Sequence, residues 1–195
     1  MREPLEQALS QLTPVLEALG LRYAVVGSLA SSAQGLYRAT ADGDLLVALP
    51  PGQATRLINA LGSRWYADAD TAERSVRERR AFNLIHIATA QKIDIFPATS
   101  DFHATQMERA RLIPVFPNEN AMRFSVASPE DVLLGKLQWY RAGGEVSDRQ
   151  WNDITGLIAT NPALDFDYTR TWAARLRVED LLDRAIADVK RDQAL

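Results

Sequence analysis

Three aspartates stand in places where their chemistry asks for a reason. Asp42-Gly43-Asp44 opens the apolar run Asp44–Leu49, and in an extended chain residues two apart project from the same face, so both carboxylates can serve one cation site. Asp94 sits inside Lys92-Ile93-Asp94-Ile95-Phe96, where an acid among apolar neighbours is costly unless something compensates it. Upstream, Gly27-Ser28 follows the apolar stretch Tyr23-Ala24-Val25-Val26. Glycine lets the backbone approach a ligand closely, and Ser28 begins a helical stretch whose free N–H groups and positive dipole end favour phosphate. Oxygen donors without thiolates suit Mg2+ or Mn2+. Packed on the strand beside Asp44, Asp94 would complete an oxygen cage for two cations that clamp a triphosphate, and it would also be the natural proton acceptor for an attacking hydroxyl.

Each fragment alone has a plain explanation. Gly-Ser before a helix is usually a turn with an N-cap, and Asp-x-Asp is often a solvated loop. Their conjunction with a third acid in an apolar strand is what points to a nucleotide and metal site. Around it, Arg38 offers a forked donor for phosphate or for the carboxylates, with a structural ion pair as the alternative. Lys136, on an apolar helix face with Val132, Leu133 and Leu137, is either an inward cation for an anionic ligand or a snorkelling surface lysine. The run Arg74, Arg77, Arg79, Arg80 reads first as a solvated helix face. His86 and Asn83 read as core hydrogen-bonding groups more readily than as site residues, and His103, beside Asp101 at a helix start, as a cap or surface group. Trp139, Tyr140 and Trp151 read as helix packing rather than as a base sandwich.

The totals restrict the function classes. With 195 residues and 47% hydrophobic content the chain can bury one substantial core plus a short helical extension. Its 25 acidic and 22 basic residues leave a net charge of -3, which argues against a surface built throughout to grip nucleic acid. No cysteine is present, so neither disulfides nor thiolate metal sites are expected. Nothing at the N-terminus reads as a secretory signal, and the longest uncharged apolar run is too short to span a bilayer. A cytoplasmic location and no membrane partner are expected.

The elements follow from periodicity. Leu5, Leu9, Leu12, Leu16 and Leu19 predict a helix that stops at Gly20, with Pro14 a candidate kink. Strands are expected at Tyr23–Val26 and Asp44–Leu49, and helices at Leu29–Gln34 and Gln53–Leu61. Asp70 with Glu73 predicts a capping box. Phe82–Ala88 and Lys92–Phe96 predict an antiparallel hairpin, and Arg111–Phe116 and Met122–Val126 two further strands. From Ser128-Pro129-Glu130-Asp131 onward the chain reads helical, with new starts at Ser147, Asp165 and Val178-Glu179.

Val25-Val26-Gly27-Ser28-Leu29-Ala30, the run Arg38 to Val47 around Asp42-Gly43-Asp44, and Lys92-Ile93-Asp94-Ile95-Phe96 resemble the successive signatures of the nucleotidyltransferase superfamily, in its small bacterial AbiEii-like branch. The stretches Ala127–Leu137 and Ser147–Ile154 are similar to the helical tail of that branch. The resemblance implies an α/β (α+β) fold: a polymerase-β-like mixed sheet flanked by helices over residues 1–127, and a bundle-like helical region, 128–195, packed on that core. It implies Gly27 and Ser28 at the phosphates, and Asp42, Asp44 and Asp94 as catalytic, metal-binding acids. The reaction implied is transfer of a nucleoside monophosphate from a nucleoside triphosphate to an acceptor, which is RNA, protein or a small molecule. A toxin or effector role beside an antitoxin partner belongs to the same picture. The alternative is a non-catalytic nucleotide-binding or partner-binding protein that keeps the fold. The sequence departs from the family pattern at Gly43, where an apolar residue is usual; glycine loosens a strand by about 0.5–1 kcal/mol and is expected to splay Asp42 from Asp44.

Overall fold

The leucine ladder at the N-terminus becomes α1 (Pro4–Ala18), whose Leu5, Leu9, Leu12 and Leu16 are buried. The helix runs through Pro14 and gives way at Gly20, which takes a φ of +70° that favours glycine. The structure is a computed structural model and describes residues 3–35, 40, 42–116 and 122–194. It divides into two compact units, Met1–Leu29 with Ala39–Ala127, and Ala30–Arg38 with Ser128–Leu195.

The first unit is organised by a seven-stranded mixed sheet. Its strands are β1 (Tyr23–Val26), β2 (Gly43–Val47), β3 (Trp65–Tyr66), β4 (Phe82–His86), β5 (Gln91–Pro97), β6 (Arg111–Pro114) and β7 (Arg123–Val126), in the spatial order β3-β4-β5-β2-β1-β7-β6. β2 is antiparallel to β1 and parallel to β5, so the two segments that carry acids are direct neighbours although far apart in sequence. The expected hairpin forms as β4–β5, antiparallel, and β6–β7 pair in the same sense. One face of the central strands is apolar without interruption. Leu45, Val47, Leu84, Ile93 and Ile95 are buried on it, and α1 packs with α3 (Gln53–Leu61) and with β5, while α4 (Ala69–Arg77) joins α3 and β4. α5 (Asp101–Arg109) contacts β1.

Alternation then settles which face carries the acids. A side chain at Gly43 would meet Leu5 Cδ1 at 3.3 Å and Ile93 Cγ1 at 3.6 Å, so Gly43 and Ile93 face α1 and their neighbours Asp44 and Asp94 face the other way. One sequence expectation is corrected. The helix at α4 is capped by Asp68, which accepts from the Thr71 N–H, rather than by a box at Asp70; Glu73 instead accepts from the Gly52 N–H and ties α4 to the start of α3. One element was not anticipated, β3, which is too short for any periodicity; α5 begins at Asp101, where the sequence marks a helix start, behind its Ser100 cap.

The second unit is helical. α2 (Gly27–Gln34) runs into it from the first unit, and α6 (Pro129–Ala142), α7 (Asp148–Thr160), α8 (Phe166–Leu176) and α9 (Glu179–Gln193) follow. Ser128, Ser147 and Asp165 cap α6, α7 and α8 through their side-chain oxygens, as their sequence positions require. Leu133, Leu134, Leu137, Ile154, Leu157, Leu182 and Ala185 are buried here. Trp151 donates to Asp188 and stands 5.0 Å from the Tyr140 ring, so these two aromatics are packing groups. Among the described residues no helix is long and apolar enough to cross a membrane.

Leu45 is fully buried in the centre of the sheet. Leu45→Ala is expected to cost about 2–5 kcal/mol in urea unfolding, whereas Tyr66→Ala, at the largely exposed sheet margin, should stay within about 0.5 kcal/mol of the parent.

Candidate functional site

Asp44 and Asp94 are register partners on the parallel strands β2 and β5. Parallel pairing in register puts two carboxylates side by side on one sheet face, a repulsive arrangement that a fold tolerates only if other groups offset it. The row continues outward: Asn83 on β4 pairs with Asp94, and Val26, the last residue of β1, pairs with Asp44. Asn83 is exposed on the acid face, so the core reading fails for it; a period of two sends it one way and Leu84 the other. His86 is buried on the opposite face, its ring 4.9 Å from Trp65 and its Nδ1 2.7 Å from the Thr89 hydroxyl.

Gly27 and Ser28 are built against Asp44. Gly27 has a φ of +63°, and a Cβ placed on it would overlap Asp44 Oδ2 and lie 2.8 Å from Asp44 Cγ. Position 27 is therefore closed to any side chain on two counts, backbone sign and space. The Ser28 N–H, at the start of α2, donates to the Asp44 carboxylate. The pKa of Asp44 nonetheless rises from the usual carboxylate range to about 6, first because burial penalises its charge and next because Asp94 repels it.

Asp42 lies just before β2, where the Thr40 hydroxyl donates to its backbone carbonyl at 3.1 Å. β2 pairs in continuous register with β5 from Gly43 to Val47, so no bulge interrupts the strand at Gly43. Leu5 of α1 fills the space that an apolar side chain at 43 would take.

Lys92 was not singled out by sequence reasoning, and it is the principal cation of the row. It lies two residues before Asp94 on β5, so it rises from the same face. Its Nζ donates to Asp94 Oδ2 at 2.8 Å and stands 3.6 Å from Asp42 Oδ2. The hydrogen bond to Asp94 holds its ammonium above the ordinary lysine pKa. The available signal was the i, i+2 spacing of Lys92 and Asp94, which is informative only once the strand assignment is accepted.

The other cations divide differently. Lys136 donates to Asp153 at 3.0 Å, both side chains being largely buried, and so joins α6 to α7 inside the helical unit. Arg38 lies outside the described residues. Arg80 pairs with Glu78, and Arg79 takes a left-handed turn at the end of α4. His103 accepts from the Thr99 N–H at 3.1 Å as part of the α5 cap.

The donor chemistry at Asp42, Asp44 and Asp94 fits a hard divalent cation, because all three offer carboxylate oxygens, Asp44 and Asp94 share one sheet face, and Asp42 and Asp94 already attract a cation in the form of the Lys92 ammonium. Among the described residues no three acidic or imidazole groups are gathered as a ready-made metal cage.

Solved structures of the same architecture exist. The antibiotic-resistance factor ANT(2'')-Ia aligns in its solution structure over 97% of this chain and 97% of its own, with a TM-score of 0.52 and 10% identity. Its crystal structure in complex with adenylyl-2''-tobramycin aligns over 90% of this chain and 98% of its own, with a TM-score of 0.54 and 13% identity. An antigenic nucleotidyltransferase-like protein from Paracoccidioides brasiliensis aligns over 94% and 92%, with a TM-score of 0.54 and 18% identity. The chain has the nucleotidyltransferase fold. No family model and no curated protein sequence matches it. At these identities what is shared is the path of the chain, and the α/β (α+β) architecture of a mixed sheet with flanking helices is as the sequence led us to expect.

Two measurements test the packing of this site. Because the native state holds the Asp44 proton more tightly than the unfolded chain, the stability this group contributes is full below the unfolded-state pKa near 4 and is lost as pH rises through about 6. In EDTA, Asp44→Asn should therefore gain on the parent by about 2 kcal/mol between about pH 4 and about pH 7 in urea unfolding. Gly27→Ala is expected to cost about 2–4 kcal/mol in the parent and less in an Asp44→Ala background, where the carboxylate overlap is gone and the backbone strain and the 3.0 Å approach to the residue 44 Cβ remain.

Proposed function

We propose that this protein is a metal-dependent nucleotidyltransferase, acting in the cytoplasm on a nucleoside triphosphate and a hydroxyl-bearing acceptor. The observation that carries this reading is the in-register pairing of Asp44 with Asp94 beside a Gly27-Ser28 turn whose N–H already binds an anionic oxygen. In it Asp42, Asp44 and Asp94 hold Mg2+ or Mn2+, which when bound neutralises the triphosphate and polarises the reacting oxygens. Gly27 leaves the backbone open to the phosphate chain, and the Ser28 N–H and hydroxyl donate to its oxygens. Arg38 is assigned to the same phosphates as a forked donor. Asp94 takes the proton of the acceptor hydroxyl as that oxygen bonds to the α-phosphorus; the bond from the α-phosphorus to the bridging oxygen breaks, and pyrophosphate leaves.

The acceptor class follows from surfaces outside this row, and RNA, protein and small molecules all present suitable hydroxyls. ANT(2'')-Ia is seen in complex with adenylyl-2''-tobramycin, which supports a small hydroxyl-bearing compound among the acceptors. A toxin or effector role paired with an antitoxin is the cellular assignment we attach to this activity. One observation favours the second reading, a nucleotide-binding protein without catalysis: the Lys92 ammonium occupies oxygens of both Asp94 and Asp42.

Titration of the four nucleoside triphosphates with Mg2+ or Mn2+ should show metal-dependent binding that Asp42→Ala/Asp44→Ala weakens by at least about tenfold. Equal binding by the double variant would remove these acids from the site. Labelled nucleotide should pass to a component of cell extract, and Asp94→Asn should abolish that product while nucleotide remains bound. Binding without any labelled product in the parent protein would select the non-catalytic reading.

A further inference from the structure

Lys92 is a cation placed where a metal would compete with it. Its ammonium reaches two carboxylates from separate chain segments, Asp94 on its own strand and Asp42 ahead of β2. The residue type is informative. Lys92, Lys136 and Lys190 are the lysines of this chain, and every other basic side chain except the two histidines is arginine. Arginine binds carboxylate through a rigid fork, whereas lysine is a point charge on a flexible stem that can leave one partner for another or for water. The exit is open, because the Lys92 side chain is 39% exposed and that of Asp42 51% exposed. An ammonium and a divalent cation on the same oxygens would repel each other strongly at such short range, so both cannot stay.

We infer that Lys92 is an exchangeable internal cation: its ammonium holds Asp42 and Asp94 in the metal-free protein and is displaced from their oxygens when a divalent cation binds. This inference rests on the metal-binding reading above. Lysine thereby keeps the acid row assembled between turnovers and sets a threshold that the metal must overcome. Lys92 is a positioning residue here, acting through the acids.

Two experiments on the full chain test the exchange. In the unmutated protein, acylation of lysines with acetic anhydride at fixed pH, read by mass spectrometry with and without saturating Mn2+, should show Lys92 labelled roughly two- to fivefold faster with metal, and Lys136 and Lys190 unchanged. Mn2+ titration followed by the electron paramagnetic resonance of the free ion should show Lys92→Met binding roughly two- to fivefold tighter than the parent, and Lys92→Arg no tighter. Metal-free Lys92→Met should also melt at a lower temperature than the parent and gain more from Mn2+. Labelling of Lys92 that ignores bound Mn2+ overturns the exchange, as does a folded Lys92→Met with unchanged or weaker Mn2+ affinity. If the parent binds no Mn2+ at all, the metal-site reading fails and takes the exchange with it; Mn2+ binding by the parent that is indifferent to Lys92 sinks the exchange alone.

Discussion

Two like charges in register across neighbouring parallel strands are the constraint from which this site is built. Asp44 and Asp94 face the same way because β2 and β5 pair without a slip, and a one-residue shift would send one of them into the α1 side of the sheet. Their repulsion is offset in three ways. Asp44 holds its proton up to a pH of about 6, the Ser28 N–H donates to it, and the Lys92 ammonium sits on Asp94 and Asp42. Each is a partial remedy.

The sheet pays for this face with the other. Leu45, Ile93, Ile95 and Leu84 are fully buried against the helical layer, which anchors the register that the acids depend on. Gly43 belongs to that anchoring. Its missing side chain is compensated by Leu5 of α1, so the glycine between the two acids reflects how closely the first helix approaches β2. Gly27 answers a different demand, since its backbone sign and the Asp44 carboxylate together exclude every other residue.

Much of the architecture was legible before any coordinates. Helix starts at Ser128, Ser147 and Asp165 follow from local capping, and the β4–β5 hairpin from two apolar runs separated by a short turn. Failures came where a short-range signal had two solutions. Asp68 and Asp70 both offer a cap for α4, and the choice fell to Asp68 once Glu73 was drawn to the Gly52 N–H of a neighbouring loop. Asn83 and His86 lie on one strand, but opposite parity separates an exposed amide beside Asp94 from a buried ring against Trp65.

By itself the sequence determined the residue types and their local geometry: acids two apart at a strand opening, a glycine-serine turn before a helix, an acid isolated among isoleucines. These are properties of neighbours along the chain, governed by backbone periodicity and capping. Only the tertiary structure decided that β2 and β5 lie side by side, that Gly27 touches the Asp44 carboxylate, that Lys92 bridges Asp94 and Asp42, and that Lys136 is engaged by Asp153. Apart from Lys92 and Asp94 on one strand, those contacts join separate chain segments, and their partners are selected by the burial of the whole core, which no local pattern encodes.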